Sequence, residues 1–325
     1  MLNIINESKD PCFNLALEEY ALKEIKGDVV IFWQNENTVV VGRNQNTHEE
    51  INHEYVTVNN VRVVRRLSGG GAVYHDNGNL NFTFITNATR DSVNNYKKFT
   101  EPVVNALRML GVEAEFSGRN DIVVEGKKIS GNAQYYAGNR LLHHGTLLFD
   151  ADLSLLGKVL NVRADKIESK GIKSVRSRVA NIYPYLKKNI NIEEFKKVLV
   201  TNILMEGSQN YILSDEENLK VENLAREKYR NWEWNFGKSP EFKISKRKRY
   251  TGGELDIKLN VSEGIIEQIK IYGDFLEYRG IEEIEKILIG KRFVEKDLAD
   301  CIKRIDIEKY FCDIKAEEII DCIFY

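Results

Sequence analysis

The sequence predicts an α+β protein, and three observations lead there. β-rich runs and helical patterns follow one another without strict strand–helix–strand alternation, which favours a mixed sheet over a parallel one. The chain has 325 residues, long for one domain and comfortable for two. A charged segment, KISKRKRY (Lys243–Tyr250), sets a smaller tail apart from the main body. We expect a large domain over 1–245 and a small α+β accessory domain over 246–325, with the charged segment as a solvated linker whose basic residues could touch an acidic partner.

Each element has its own signal. Asp10-Pro11 pairs an N-cap with proline at the first helical position and opens a helix to about Ile25, with Phe13, Leu17, Tyr20, Ala21 and Ile25 on one face. Half-buried strands follow in DVVIFWQ, TVVVGR, VRVVRR, AVYHD and NLNFTFI. The last alternates, with Leu80, Phe82 and Phe84 on one side and Asn81 and Thr83 on the other. A helical pattern from Val93 to Leu110 stops at Gly111, and Pro102 predicts a kink or restart inside it. VEAEFS, DIVVEG, KKISGNAQYY and LLHHGTLLF form a second β-rich block, with turns at Glu125-Gly126 and Gly138-Asn139. Helices are expected over Leu153–Leu160, Ile192–Met205 and Asp215–Tyr229, the last with a Ser214/Glu217 capping box. Residues 254–275 read as a β-hairpin, followed by helices.

Composition narrows the function classes. With 42% hydrophobic and 30% charged residues the chain is of the soluble globular type. A net charge of −2 argues against a dedicated nucleic-acid binder. No apolar run reaches a membrane span and no signal-peptide core is evident, so a cytoplasmic protein is expected. The four cysteines, Cys12, Cys301, Cys312 and Cys322, show no CxxC spacing and read as reduced thiols.

The densest chemistry lies in RRLSGGGAVYHDNGNLN (Arg65–Asn81). Three consecutive glycines are entropically costly, and the usual return is a main chain that approaches a ligand closely. Arg65 and Arg66 beside them suggest an anionic ligand. Neither a P-loop nor a dinucleotide fingerprint fits, since no Gly-Lys-Ser/Thr run exists and Tyr74 occupies the place of the third dinucleotide glycine. A second cluster, GRNDIVVEGKKISGNAQ (Gly118–Gln134), sets Lys128 before a small polar run, with Lys127 as the natural surface residue. In His143-His144-Gly145-Thr146, adjacent histidines of a strand point to opposite faces, so at most one serves a site. The five histidines lack zinc-ligand spacing. The fourth cluster, KGIKSVRSRVAN (Lys170–Asn181), has the profile of a loop that closes over a phosphate-bearing ligand.

Taken together in this order, RRxSGGGxVxHDxGNLN, GRNDI…GKKISGNA, HHGTLL and KGI.SVRSRV closely resemble the lipoate–protein ligase A family. The resemblance covers roughly the first 245 residues, and the tail resembles the family's accessory domain. It implies a central mixed sheet with helices on both sides, the biotin/lipoate ligase-like (class II synthetase-like) fold shared with biotin ligases and octanoyl transferases. It also implies a two-step reaction, in which lipoate and ATP give lipoyl-adenylate and pyrophosphate, and a lysine of a partner protein then takes the lipoyl group and releases AMP. The expected acceptors are apo lipoyl domains of 2-oxoacid dehydrogenase E2 subunits and the glycine cleavage H protein, with no nucleic acid or membrane involved. Nothing in the sequence demands an oligomer, so a monomer is expected.

The resemblance also implies site roles. Lys128 corresponds to the lysine that contacts both the acyl carboxylate and the α-phosphate. Arg66 and the Gly71, Ala72, Val73 and Tyr74 main chain correspond to ATP-binding positions. Ser68, Gly69, Gly70, Gly71 and His75 belong with Lys128 to the lipoate site. Gly171, Ser174, Val175, Arg176 and Arg178 lie in the adenylate loop. Asp76, Asn81, Asp121, Asn132 and His144 match motif positions with supporting roles. Mg²⁺ is implied by ATP chemistry, with Asp121 as the one protein candidate to bind it. A cysteine-dependent octanoyl or lipoyl transferase of the same fold is the nearest rival, yet no cysteine lies between Cys12 and Cys301. A non-catalytic regulator that keeps the fold is the other alternative, opposed by the intact Lys128, Arg66 and adenylate loop.

Overall fold

The computed structural model describes residues 1–89, 92, 94–161, 178–204, 207–236 and 244–324. The chain separates into two compact units, one of Met1–Val41, His48–Arg65 and Ala72–Asn235, the other of Gly42–Thr47, Arg66–Gly71 and Phe236–Tyr325.

The first unit is built on an eight-stranded mixed sheet. Its strands are β1 (Leu2–Ile4), β2 (Val29–Trp33), β6 (Asn79–Asn87), β7 (Ala114–Ser117), β8 (Asp121–Val124), β9 (Lys127–Ala137), β10 (Arg140–Leu148) and β11 (Gln209–Tyr211), in the spatial order β11-β1-β2-β6-β10-β9-β8-β7. β1 runs parallel to β2 and β11, and the other pairs are antiparallel. A smaller sheet joins β3 (Thr38–Val41) to β4 (Arg62–Arg65) in parallel and to β5 (Val73–His75) antiparallel, in the order β4-β3-β5.

Alternation along β2 and β6 divides two cores. Val30, Phe32, Leu80, Phe82 and Phe84 meet Phe99, Val103 and Leu107 of the helix Tyr96–Met109. Val29, Ile31, Trp33 and Ile85 face the helix Pro11–Glu24 and, beyond it, Val221, Ala225 and Tyr229. Asp10 caps that helix as its residue type predicts, accepting from the Cys12 N–H at 3.1 Å. The helix is not one-sided, however: Glu18 and Glu19 are as buried as their apolar neighbours, because partners on both sides satisfy them.

The hairpin turns fall where expected, with Glu125 and Gly126 at φ 48° and 75° and Gly138 at 60°. Ser214 and Glu217 form their capping box, and Asn191 with Glu194 forms another on the helix Ile192–Ile203. Three of the expected helices need correction. The helix Tyr96–Met109 runs through Pro102 without a restart and begins at the N-cap Asn95. The helix expected over 153–160 is one turn, Leu156–Val159. The one expected over 215–229 is α-helical only to Leu224 and continues as a π-turn to Tyr229.

The second unit contains an antiparallel sheet of β12 (Ile244–Tyr250), β13 (Gly253–Ser262) and β14 (Ile265–Gly273). The basic segment is therefore a strand and not a solvated linker. Its charges are matched by acids of the same unit: Arg247 by Asp256, Lys248 by Asp321 at 2.9 Å, and Arg249 by Asp274 at 2.9 Å. One face of this sheet buries Leu255, Ile257, Leu259, Ile269 and Ile271 against helices Glu282–Leu288, Glu295–Ile302 and Ala316–Phe324. No helix among the described residues is long and apolar enough to cross a membrane.

Candidate active site

Sheet register assembles one row of side chains. Trp33 of β2 stands opposite Asn81 of β6, and Asn81 stands opposite Thr146 of β10. The Gly131 N–H reaches Thr146 Oγ1 at 3.4 Å, and Gly131 of β9 is paired with Asp121 of β8. Lys128 joins this row through a β-bulge: the register shifts so that Ile122 faces Ser130 while Val123 faces Lys128, leaving Ile129 as the extra residue. The Lys128 side chain lies over Gly131, where a Cβ would sit 2.8 Å from Nζ. A glycine there leaves room for the ammonium. Lys128 Nζ pairs with Asp121 Oδ1 at 2.7 Å, both side chains being partly exposed, whereas Lys127 is exposed.

The main chain of Lys128 is held as well. Its N–H donates to the Arg178 carbonyl at 2.7 Å, and the Ala180 N–H donates to the Lys128 carbonyl at 2.9 Å. Lys128 and Val179 thereby form a parallel bridge. Of the expected adenylate loop, Arg178 is placed here, at its C-terminal end. Gly171, Ser174, Val175 and Arg176 lie outside the described residues.

The next row on the same face runs Ile31, Thr83, His144, Ala133. His144 Nδ1 lies 2.9 Å from Glu18 Oε1, and Thr83 Oγ1 donates to that same oxygen at 2.5 Å while receiving the Trp33 indole N–H at 2.9 Å. As the common acceptor, Glu18 places the imidazole proton on Nδ1. Sequence reasoning missed Glu18. The available signal was a pair of adjacent glutamates inside an otherwise apolar helical stretch, a place where an unpaired carboxylate would be expensive.

His143 points the other way. It is fully buried, stacks on Phe99 at a centroid distance of 4.9 Å, and is bonded to Gln134 at 3.2 Å and Asn132 at 3.3 Å. Burial pushes its pKa well below the ordinary histidine value, so it is a neutral core residue. Asn132 shares that face, and its Nδ2 donates to the Asn120 carbonyl at 3.0 Å, steadying the turn that delivers Asp121. Gly145 is required between them, since a Cβ would come within 2.2 Å of Asn132 Oδ1.

Asn81 is 1% exposed; its Oδ1 accepts from Asn79 at 3.0 Å, and its Nδ2 has no partner among the described residues. Asp76 is occupied with main chain, accepting from Gly78 N–H at 2.8 Å and Asp152 N–H at 2.7 Å. That is turn chemistry. His75 is buried and edge-on to Trp33 at 6.2 Å, with Nδ1 accepting from Asn35 at 3.1 Å. Tyr74 bonds Asn37 through its hydroxyl at 3.0 Å, and burial raises its pKa to about 12. Val73 and Ala72 are half-buried.

The Gly-rich loop belongs to the second unit and is braced from inside. The buried guanidinium of Arg66 donates to the carbonyls of Gly69 at 2.7 Å and Gly71 at 2.9 Å, and to Ser68 Oγ at 3.1 Å. Gly70 adopts φ 92° and donates to the Phe275 carbonyl at 3.3 Å. At Gly69 a Cβ would lie 2.5 Å from that same carbonyl, while at Gly71 it would meet nothing within 4 Å. A neighbouring segment is fixed by Arg43 N–H to Ser68 O at 2.9 Å, Gly273 N–H to Asn44 O at 2.7 Å and the Arg43–Glu277 ion pair at 3.0 Å.

Two observations bear on the chemistry such residues can do. Cys12 is buried, donates to the Tyr229 carbonyl at 3.3 Å, and has its pKa raised to about 11 by burial and by Asp10, the reverse of an activated thiol. Among the described residues no group of three or more His, Cys, Asp or Glu could hold a metal. Asp121 stands beside this row as a partly exposed carboxylate already paired with Lys128.

Comparison with known proteins gives a consistent picture. Residues 10–204 match the family model "Lipoyl protein ligase A/B catalytic domain", and residues 239–323 match "Bacterial lipoate protein ligase C-terminus". The chain is 47% identical to the lipoate-protein ligase LplJ of Bacillus subtilis over 100% of both chains. The crystal structure of P. falciparum LipL1 in complex with lipoate superposes with a TM-score of 0.82 at 26% identity, covering 99% of this chain and 98% of that one. A lipoate-protein ligase A bound with ATP superposes with a TM-score of 0.63 at 28% identity, over 73% of this chain and 98% of that one.

Proposed function

Since the chain belongs to the lipoate–protein ligase family and is an enzyme of that kind, we propose that it activates free lipoate with ATP and passes the lipoyl group to a lysine of an apo lipoyl domain. In the first step a lipoate carboxylate oxygen attacks the α-phosphorus of ATP; the P–O bond to the leaving pyrophosphate breaks and lipoyl-adenylate forms. In the second step the lysine amine attacks the acyl carbonyl, AMP leaves and the amine gives up a proton. The acceptors we have in mind are E2 subunits and the glycine cleavage H protein, met by a monomeric ligase with a catalytic domain over 1–245 and an accessory domain over 246–325.

The observation that carries this reading is the placement of Lys128: a partly exposed ammonium over Gly131, in one row with Asp121, Thr146 and Asn81, on a main chain fixed from two sides. The first step brings an anion to an anion, and a preorganised cation lowers that repulsion at a cost already met in folding. The same ammonium would then polarise the acyl carbonyl and stabilise the charge that develops on AMP. Asn81, with a buried N–H₂ lacking a partner among the described residues, is a donor suited to a ligand oxygen. The Gly-rich loop supplies main-chain N–H groups at Gly71–Tyr74 for ATP, and its close-approach glycines with Ser68 and His75 serve the acyl chain of lipoate. Arg66 acts by bracing the loop carbonyls. Mg²⁺, held by Asp121 with phosphate and water, would neutralise part of the triphosphate charge.

The test is lipoate-dependent ATP–pyrophosphate exchange. Exchange that requires lipoate, followed by transfer to a lipoyl domain, is expected. Acyl transfer without ATP would point to the thioester route instead, and binding without turnover to a regulator.

A further inference from the structure

The Gly-rich loop starts from a residue that is held unusually tightly. Arg65 ends β4, a terminal strand of its sheet, with β3 on one side and no neighbouring strand among the described residues on the other. Side chains of the short helix Trp232–Asn235 take that neighbour's place. The Arg65 N–H donates to Asn235 Oδ1 at 2.9 Å, and the Trp234 indole N–H donates to the Arg65 carbonyl at 2.9 Å. The Arg65 guanidinium returns the contact, with Nε donating to the Trp234 carbonyl at 2.9 Å and a terminal nitrogen to the Asn235 carbonyl at 3.1 Å. Hydrogen bonds from main chain and side chain alike thus join one residue to two.

The holder is itself held. Asn235 is 5% exposed, and its Nδ2 donates to the Tyr229 carbonyl at 2.7 Å. Lys228 lies 4.2 Å from the Trp234 ring centroid and pairs with the buried Glu19 at 2.8 Å, which also accepts from the Tyr229 hydroxyl at 2.6 Å. The chain of contacts thus runs from the helix Pro11–Glu24 through Glu19, Lys228 and Trp234 to the main chain of Arg65. The next residue, Arg66, gathers the loop carbonyls of Gly69 and Gly71.

We propose that Trp234 and Asn235 are positioning residues for the adenylation half-reaction: by fixing both main-chain groups of Arg65 they hold the residue from which the chain continues into the Gly-rich loop. The inference rests on the two-step reading given above. A loop preset in its binding geometry spends less of the ligand's binding free energy on ordering. Loosening Arg65 should therefore weaken ATP capture before it slows chemistry.

The experiment uses the full-length protein and measures KM for MgATP and kcat separately in lipoate-dependent pyrophosphate exchange. Asn235→Ala should raise KM by roughly tenfold, the size of one or two lost hydrogen bonds, with kcat within about twofold of the parent. Trp234→Phe, which keeps the ring and removes the N–H, should raise KM by roughly threefold. Trp232→Phe on the same helix serves as control. A residue that only stabilises the fold would lower the active fraction, seen as a fall in kcat at unchanged KM, and that result overturns the proposal. If Asn235→Ala yields no folded protein, Trp234→Phe decides, and a parental KM there overturns it. Parent protein without lipoate-dependent exchange would instead refute the two-step reading itself.

Discussion

The Lys128 row and the Gly-rich loop reach fixed geometry by opposite routes. Lys128 is placed by register: a bulge, a facing glycine and an ion pair, all within the hairpins of one sheet and bridged to Val179. The Gly-rich loop owes its shape to chain far away in sequence, since the Phe275 carbonyl receives Gly70 and Glu277 anchors the segment that holds Ser68. A local device of the first kind can be damaged only locally. The second kind makes the Gly-rich loop answer to the state of residues about two hundred positions downstream.

The largest effect expected lies on the Lys128 side. Lys128→Ala should cut adenylate formation by roughly 10²–10³-fold, the usual loss for one preorganised electrostatic donor, whereas Lys127→Ala on the exposed position should stay near the parent. Pyrophosphate release at the parental rate from Lys128→Ala would remove this residue from the mechanism.

On the loop side the contrast is between neighbours. Gly69→Ala forces a methyl to 2.5 Å from a main-chain carbonyl and should cost about 1–3 kcal/mol in stability. Gly71→Ala enters open space and should be near neutral. Equal melting temperatures for the two variants would show that the 273–277 segment does not constrain the loop.

A smaller effect concerns pH. Burial raises the pKa of Glu277 from 4.5 to about 7, only partly offset by Arg43 and Asn44, with Glu282 and Glu285 adding to the rise. The folded state then holds a proton more readily than the unfolded one, so this group's contribution is fully present below about pH 4.5 and is lost as pH climbs through about 7. Glu277→Gln should flatten the fall in stability between pH 5 and pH 8 relative to the parent, as read from thermal melts. An unchanged slope would place the titration elsewhere. The smallest effect belongs to Cys12→Ala, which should leave transfer from lipoyl-adenylate at the parental rate; selective loss of transfer in a stable variant would revive a thiol mechanism.

Much of this was legible in the residues. Asp10-Pro11, the Glu125-Gly126 turn and the Ser214 capping box act through neighbours a few positions away, and sequence states such neighbours directly. The same holds for the His143/His144 pair, where strand geometry alone required opposite faces. What escaped reading depends on partners that only folding supplies. The basic run looked like a linker because its matching acids, Asp256, Asp274 and Asp321, lie on other elements. Glu18 was hidden because its acceptor role exists only when Thr83 and His144 arrive from separate strands. Pro102 predicts a kink or restart only because local rules ignore the packing of Phe99, Val103 and Leu107 on either side of it.

The Asp121–Lys128 pair carries a further consequence. A lone lysine beside a glycine would sweep through many rotamers, and each arriving anion would have to stop it. Here a carboxylate from the adjacent strand holds the ammonium in its working position beforehand. On the proposed reading an incoming carboxylate or phosphate would trade places with a resident counter-ion, with little net charge to separate, and because the pair is partly exposed its own attraction is weak enough to surrender. Asp121 would in this sense be a placeholder, released toward solvent once the substrate's own charge arrives.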